Sequence, residues 1–252
     1  MQALLFAITF LTRIPVPLKF KYNEELPSQS FTYFPVVGFL AGIIIVFLDK
    51  LFYFIFPEIV SNIMLLIVYT YLTGALHFDG FMDSIDGLFS GRKKKEILEI
   101  MHDSHTGSFA VIAVILLILL KLSLFLEFST EYRVPILILM PVISRWIVVF
   151  TAYRYPLASS SQLAKGFSRS LKVKQITLST IFLMLFVFLI AVISKMPLLY
   201  IIAGFSLTLF FNILYCRYII RKIGGLTGDI YGAVIEISEV LFLLSTSIVL
   251  NF

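Results

Sequence analysis

Three aspartates fall within eight residues in His77-Phe78-Asp79-Gly80-Phe81-Met82-Asp83-Ser84-Ile85-Asp86-Gly87, directly after an apolar run. At about 100° per residue, Asp83 lies roughly 40° around a helix from Asp79, and Asp86 roughly 20° to the other side. One face therefore carries all three. Like charges that close repel, and a divalent cation with oxygen ligands holds them together, Mg²⁺ being the usual one. Gly80 and Gly87 allow close backbone approach. The plain alternative is the acidic start of a solvated helix. A second acidic stretch, Gly224-Gly225-Leu226-Thr227-Gly228-Asp229 running on to Glu236 and Glu239, puts Asp229 and Glu236 at i, i+7 on one face. Glu236 and Glu239 fall inside an apolar run, where a carboxylate needs a metal, a cation or a proton. For these acids the alternative is a charge pair with the intramembrane Arg145. A third stretch, Met101-His102-Asp103-Ser104-His105-Thr106-Gly107, offers a carboxylate, two imidazoles and two hydroxyls. Two imidazoles with no thiol nearby are a poor zinc site, so a phosphate or sugar contact is the better reading. Ser104 or Thr106 could instead cap the following helix.

The elements that must position these groups are membrane helices. The 252 residues are 60% hydrophobic and 14% charged, with a mean hydropathy of +1.00, against about a quarter charged residues in soluble domains. Seven segments approach the ~20 apolar residues that cross hydrocarbon, near 31–50, 59–78, 109–127, 134–152, 176–193, 197–216 and 231–250. Residues 1–12 are apolar but short, with Pro15 and Pro17 close behind, which predicts an interfacial or re-entrant helix. The fold expected is an all-α, polytopic helix bundle forming one integral-membrane catalytic domain over 1–252. No cleavable signal peptide is evident. The single cysteine, Cys216, excludes a disulfide framework.

Loop charges set the expected orientation. Arg13, Lys19, Lys21, Arg92–Lys95, Arg154, Lys165, Arg169, Lys172, Lys174, Arg217, Arg221 and Lys222 all fall in alternate connections. The intervening ones hold only Lys50, Arg133 and Lys195. This places the N-terminus and the acidic motifs on the cytoplasmic side and the C-terminus outside. The net charge of +5 is spent on topology and anionic lipid, not on nucleic acid. Arg145 needs a buried acidic partner; Lys121 is expected to snorkel and is given no role.

The chain resembles the cobalamin synthase (adenosylcobinamide-GDP ribazoletransferase) family. The resemblance rests on Phe10-Leu11-Thr12-Arg13-Ile14-Pro15-Val16-Pro17, Phe34-Pro35-Val36-Val37-Gly38, the Gly74–Gly87 segment, Met101–Gly107 and Gly225–Glu239, spread end to end. It implies a Mg²⁺-dependent enzyme of the cytoplasmic membrane in which α-ribazole, or its 5′-phosphate, attacks adenosylcobinamide-GDP and GMP leaves. On that reading Asp79, Asp83, Asp86 and Asp229 hold Mg²⁺ against the pyrophosphate, with Glu236 as a further ligand. Asp103, or a carboxylate not bound to metal, takes the acceptor's proton. Arg13, His77, Ser104, His105, Thr227 and Gly228 contact substrate. The family pattern implies basic residues at 102 and 105; His102 and His105 stand here, so charge at those positions follows histidine protonation. A homo-oligomer is left open. Without the resemblance, another membrane nucleotidyl-alcohol or prenyl transferase, or a cation transporter, stays open.

Overall fold

Apolar runs of this length leave the backbone one way to satisfy its own N–H and C=O groups in hydrocarbon, the helix. A computed structural model describes residues 1–16, 25–103, 105–128, 130–158 and 171–251. Its helices are α1 (Gln2–Leu11), α2 (Leu26–Ser30), α3 (Phe34–Ile55), α4 (Glu58–Leu72), α5 (Leu76–Phe89) and α6 (Lys94–Met101). They are followed by α7 (Ser108–Glu127), α8 (Thr130–Arg154), α9 (Val173–Ser194), α10 (Leu198–Ile223) and α11 (Gly228–Asn251). A 3₁₀ turn, Phe31–Tyr33, joins α2 to α3. Among the described residues there is no strand, only an isolated parallel bridge between Leu157 and Leu226. Six helices are long and apolar enough to cross a membrane, or seven spans if the bent pair α4–α5 counts as one. The polytopic bundle is as the hydropathy predicts, and α1, at ten residues, is too short to cross.

The expected span 59–78 is the one that differs. α4 ends at Leu72, and the chain turns by 88° into α5. Gly74 (φ +67°) and Ala75 (φ +55°) both adopt the left-handed conformation that ends a helix. His77, placed by hydropathy at the end of a span, belongs to the same helix as the three aspartates.

The core is built around α8, whose residues from Ile136 to Val149 are almost wholly buried. α3 crosses it closely enough to exclude side chains. An added Cβ at Gly38 would lie 2.4 Å from the Pro141 carbonyl oxygen, and one at Gly42 would lie 2.7 Å from Ile138 Cα. This is the small-xxx-small packing of membrane helices. At the end of the bundle away from α5, Arg133 of α8 gathers its neighbours. It pairs with Asp49 of α3 at 2.7 Å, donates to Asn62 Oδ1 of α4 at 2.6 Å and also donates to the Phe125 carbonyl of α7. All three side chains are buried.

Gly42→Ala is expected to destabilise the folded protein by about 1–3 kcal/mol, the usual range for overpacking. Gly228→Ala should leave the thermal midpoint unchanged, because an added Cβ there meets nothing within 4 Å. Thermal unfolding of the two variants in detergent checks the contrast; equal midpoints would refute backbone contact between α3 and α8.

Candidate functional site

α5 is amphipathic along a narrow seam. His77, Gly80, Phe81, Ser84 and Gly87 are buried, while Asp79 is exposed and Asp83 and Asp86 are partly buried beside that seam. Gly80 and Gly232 let α5 and α11 meet backbone to backbone. An added Cβ at Gly80 would lie 2.7 Å from the Asp229 carbonyl oxygen, and one at Gly232 would lie 3.2 Å from both the His77 carbonyl oxygen and Gly80 Cα. That contact brings Asp229 to the aspartates across 146 positions of chain separating it from Asp83.

The loop before α11 is held just as closely. The Leu226 N–H donates to the Pro156 carbonyl at 2.9 Å, and the Ala158 N–H donates to the Leu226 carbonyl at 2.9 Å. Gly225 leaves no room for a side chain against Leu157 and Ala158. Thr227 is fully buried; its hydroxyl accepts from the Ile230 N–H at 3.3 Å and donates to Asp229 Oδ2 at 3.3 Å. It therefore caps α11 and orients Asp229 together.

At 14 residues, α5 is too short to cross hydrocarbon alone. Burial, then the charges of Asp79, Asp229 and Asp86, push the Asp83 carboxyl up to about 7. Four carboxylates thus share one field, and among the described residues Asp79, Asp83 and Asp229 have no ion-pair partner. Even so, no three His, Cys, Asp or Glu side chains among the described residues stand close enough to hold an ion by themselves. Asp86 is already engaged: it accepts the Gly107 N–H at 2.5 Å and the Ala110 N–H at 2.9 Å. It caps α7 from a different helix, a task that the spacing suggested for Ser104 or Thr106. Gly107 is the N-cap residue, and a Cβ there would lie 2.6 Å from Asp86 Oδ1. Ser104 lies outside the described residues.

Asp103 and His105 form an exposed pair. Asp103 Oδ1 lies 2.7 Å from His105 Nδ1 and accepts the His105 N–H at 3.1 Å. The carboxylate raises His105 above its ordinary histidine value, restoring part of the positive charge that a fixed base would carry. Arg13 sits over the α4–α5 break: its N–H donates to the Leu72 carbonyl at 2.7 Å, and its side chain fills the space beside Gly74. Lys222 donates to the Leu88 carbonyl near the end of α5, where a cation suits the helix dipole.

Glu236, expected as a metal ligand, is placed elsewhere. It pairs with Lys121 Nζ at 2.6 Å, and both are buried. Lys121 also pairs with Glu239 at 2.7 Å. Glu239 in turn pairs with Arg145 and accepts the Tyr69 hydroxyl at 2.5 Å. Arg145 has the buried acidic partner that its depth requires. Lys121 does not snorkel: two carboxylates facing two cations make a neutral cluster, and a lysine turned to the lipid interface would leave an uncompensated acid. Lys121 and Tyr69 were missed because nothing in their local sequence marks them; two acids in α11 without enough cations nearby was the only available signal.

The cobalamin-5-phosphate synthase family model matches residues 3–247. An adenosylcobinamide-GDP ribazoletransferase of Desulfitobacterium hafniense (strain Y51) is 41% identical over 248 residues, covering 97% of this chain and 96% of the relative. Similarly named proteins of Brevibacillus brevis (36% identity, 97% of each chain) and Fusobacterium nucleatum (34% identity, 96% of each chain) also match. No solved structure matches.

The field at Asp83 sets a pH dependence. Its carboxyl stands near 7 when folded and near about 3.9 when unfolded. Between those values the folded state binds more protons, so stability falls as pH rises through the window. In EDTA, the thermal midpoint is expected to be higher at pH 5 than at pH 7, and Asp83→Asn should remove much of the difference. An unchanged difference in the variant would show that the carboxylates do not repel.

Proposed function

Because the chain belongs to the cobalamin-5-phosphate synthase family, transferases of cobalamin biosynthesis, we propose that it joins adenosylcobinamide-GDP to α-ribazole or its 5′-phosphate. The acceptor hydroxyl attacks the phosphate attached to cobinamide, GMP leaves, and adenosylcobalamin or its 5′-phosphate forms. The observation that carries this reading is the glycine contact between α5 and α11. It gathers Asp79, Asp83 and Asp229, none of which has an ion-pair partner among the described residues, beside a loop of polar residues.

Mg²⁺ fits the donor set, which is all carboxylate oxygen. Asp79, Asp83 and Asp229 would hold it, with Asp86 adjacent. Too few protein groups converge to cage an ion, which suits Mg²⁺: it is usually held by one or two carboxylates plus substrate phosphates. When bound, Mg²⁺ supplies neutralisation of charge on the pyrophosphate and on the departing GMP. Thr227 keeps Asp229 in orientation. Arg13, beside Gly74 ahead of α5, and His105, two residues before the Gly107 that meets Asp86, would contact the phosphates of the donor, and Gly228 leaves open space beside Asp229 for substrate. A carboxylate not engaged with the ion takes the acceptor's proton; Asp103, hydrogen-bonded to His105, is one such group. The excess of basic residues in alternate connections supports assigning this end of the bundle to the cytoplasmic face of the cell membrane, where nucleotide substrates are made.

Purified full-length protein, given adenosylcobinamide-GDP, α-ribazole and Mg²⁺, is expected to release GMP and yield a product with the mass of adenosylcobalamin. Asp79→Asn, Asp83→Asn and Asp229→Asn should each lower turnover by about 10²-fold or more, the size of losing one electrostatic stabiliser. Glu236→Gln should act first on stability, since it leaves the buried cluster with an excess cation. Near-wild-type GMP release in all three aspartate variants would overturn the assignment.

A further inference from the structure

One cavity adjoins the carboxylates. It has a volume of about 150 Å³ and lies between the end of α1, the Phe31–Phe34 turn, α5 and α11. Its wall is aromatic: Phe31 and Phe34 stack with centroids 4.6 Å apart, and Phe10 stacks on Phe34 at 6.3 Å. Asp79 and Asp229 belong to the same lining, as does Gly228 with its open space. His77 also forms part of the wall. It is 3% exposed, and its Nε2 has no hydrogen-bond partner among the described residues. A buried polar atom without a partner calls for an explanation, and an occupant that reaches His77 supplies one.

We infer that this cavity seats the aromatic base of the acceptor nucleoside, with His77 pairing its free ring nitrogen. The inference rests on the reading of the reaction given above and names the place of one substrate. Stacked rings favour a flat heterocycle, and an apolar cavity of this size takes a small aromatic molecule. The three aromatic bases in the proposed reaction differ in polarity. Guanine, on the leaving nucleotide, and adenine, on the donor's adenosyl group, each present several donors and acceptors; with Asp79 and Asp229 of the lining given to the ion, the phenylalanine wall would leave most of them unpaired. The base of α-ribazole is a dimethylated benzimidazole. Once joined to ribose it retains a single polar atom, one acceptor nitrogen. A neutral histidine whose Nε2 carries the proton offers one donor. The numbers match, and the methyl groups meet apolar surface. Asp79 and Asp229 share the cavity's lining, so a base seated there keeps its ribose, and the attacking hydroxyl, close to the carboxylates. His77 is thereby a binding residue that selects the acceptor, and the phenylalanines fix the plane of its ring.

The test uses full-length protein in detergent with 5,6-dimethylbenzimidazole as the probe. The free base is expected to inhibit GMP release competitively against α-ribazole and not against adenosylcobinamide-GDP. His77→Phe should raise the KM for α-ribazole at least tenfold and leave the KM for the donor within about twofold. Competition against the donor would mean that the cavity holds one of the donor's bases, guanine or adenine, and would overturn the inference. So would active enzyme with no inhibition by the free base. If no GMP is released at all, the reaction assigned above is what fails, and equilibrium dialysis of the probe still decides the cavity. Binding to wild type that weakens at least tenfold in His77→Phe supports it, and equal or absent binding refutes it. The inhibition pattern needs only the wild type, so a variant that misfolds does not blunt the test.

Discussion

Everything at the acidic end of this bundle depends on two glycines that let α5 and α11 touch backbone to backbone. Gly80 lies against Asp229, and Gly232 lies against His77 and Gly80. A side chain at Gly80 would clash with the Asp229 backbone and force the helices apart, and one at Gly232 would crowd the His77 and Gly80 backbone, so either would disturb the approach of Asp229 to Asp79 and Asp83. The approach is close because a helix at right angles to α4 can lay its seam of small residues across the start of α11. The 88° turn at Gly74 and Ala75 is the precondition for that geometry.

Behind the glycine contact stands the neutral cluster of Lys121, Arg145, Glu236 and Glu239, with Tyr69 completing it. It ties α4, α7, α8 and α11 together in a place where each charge alone would be too costly to keep. The cluster and the carboxylate site divide the acids of α11 between them by depth. Asp229, at the helix start, faces the aspartates of α5; Glu236 and Glu239, two and three turns further in, face cations. The same helix therefore positions chemistry at one end and supports it with balanced charge below.

Much of this was legible in the chain. Hydropathy located the helices, because twenty apolar residues in a row have few alternatives, and helical spacing put Asp79, Asp83 and Asp86 on one continuous element. The stretch from Gly224 to Asp229 was recognisable as the partner by its glycines and acid. What misled was reading depth as role. Glu236 looked like a ligand because it stood in phase with Asp229, yet phase along one helix says nothing about which neighbour lies opposite. Lys121 looked like a snorkelling residue because its own surroundings are uniformly apolar. The capping of α7 by Asp86 was hidden for the same reason: the cap comes from a residue 21 positions away, with no local pattern.

The amino-acid sequence by itself determined the class of molecule, the approximate spans and the set of acids with chemistry to offer, since these follow from composition and from periods within single helices. Only the tertiary structure decided which acids face one another and which are neutralised. It also decided where α4 breaks from α5 and that an aromatic cavity opens beside Asp79 and Asp229. Those outcomes depend on contacts between helices far apart in the chain. Such contacts are selected by the fit of glycine against backbone and of buried charge against buried charge, and neither leaves a periodic trace in either partner alone.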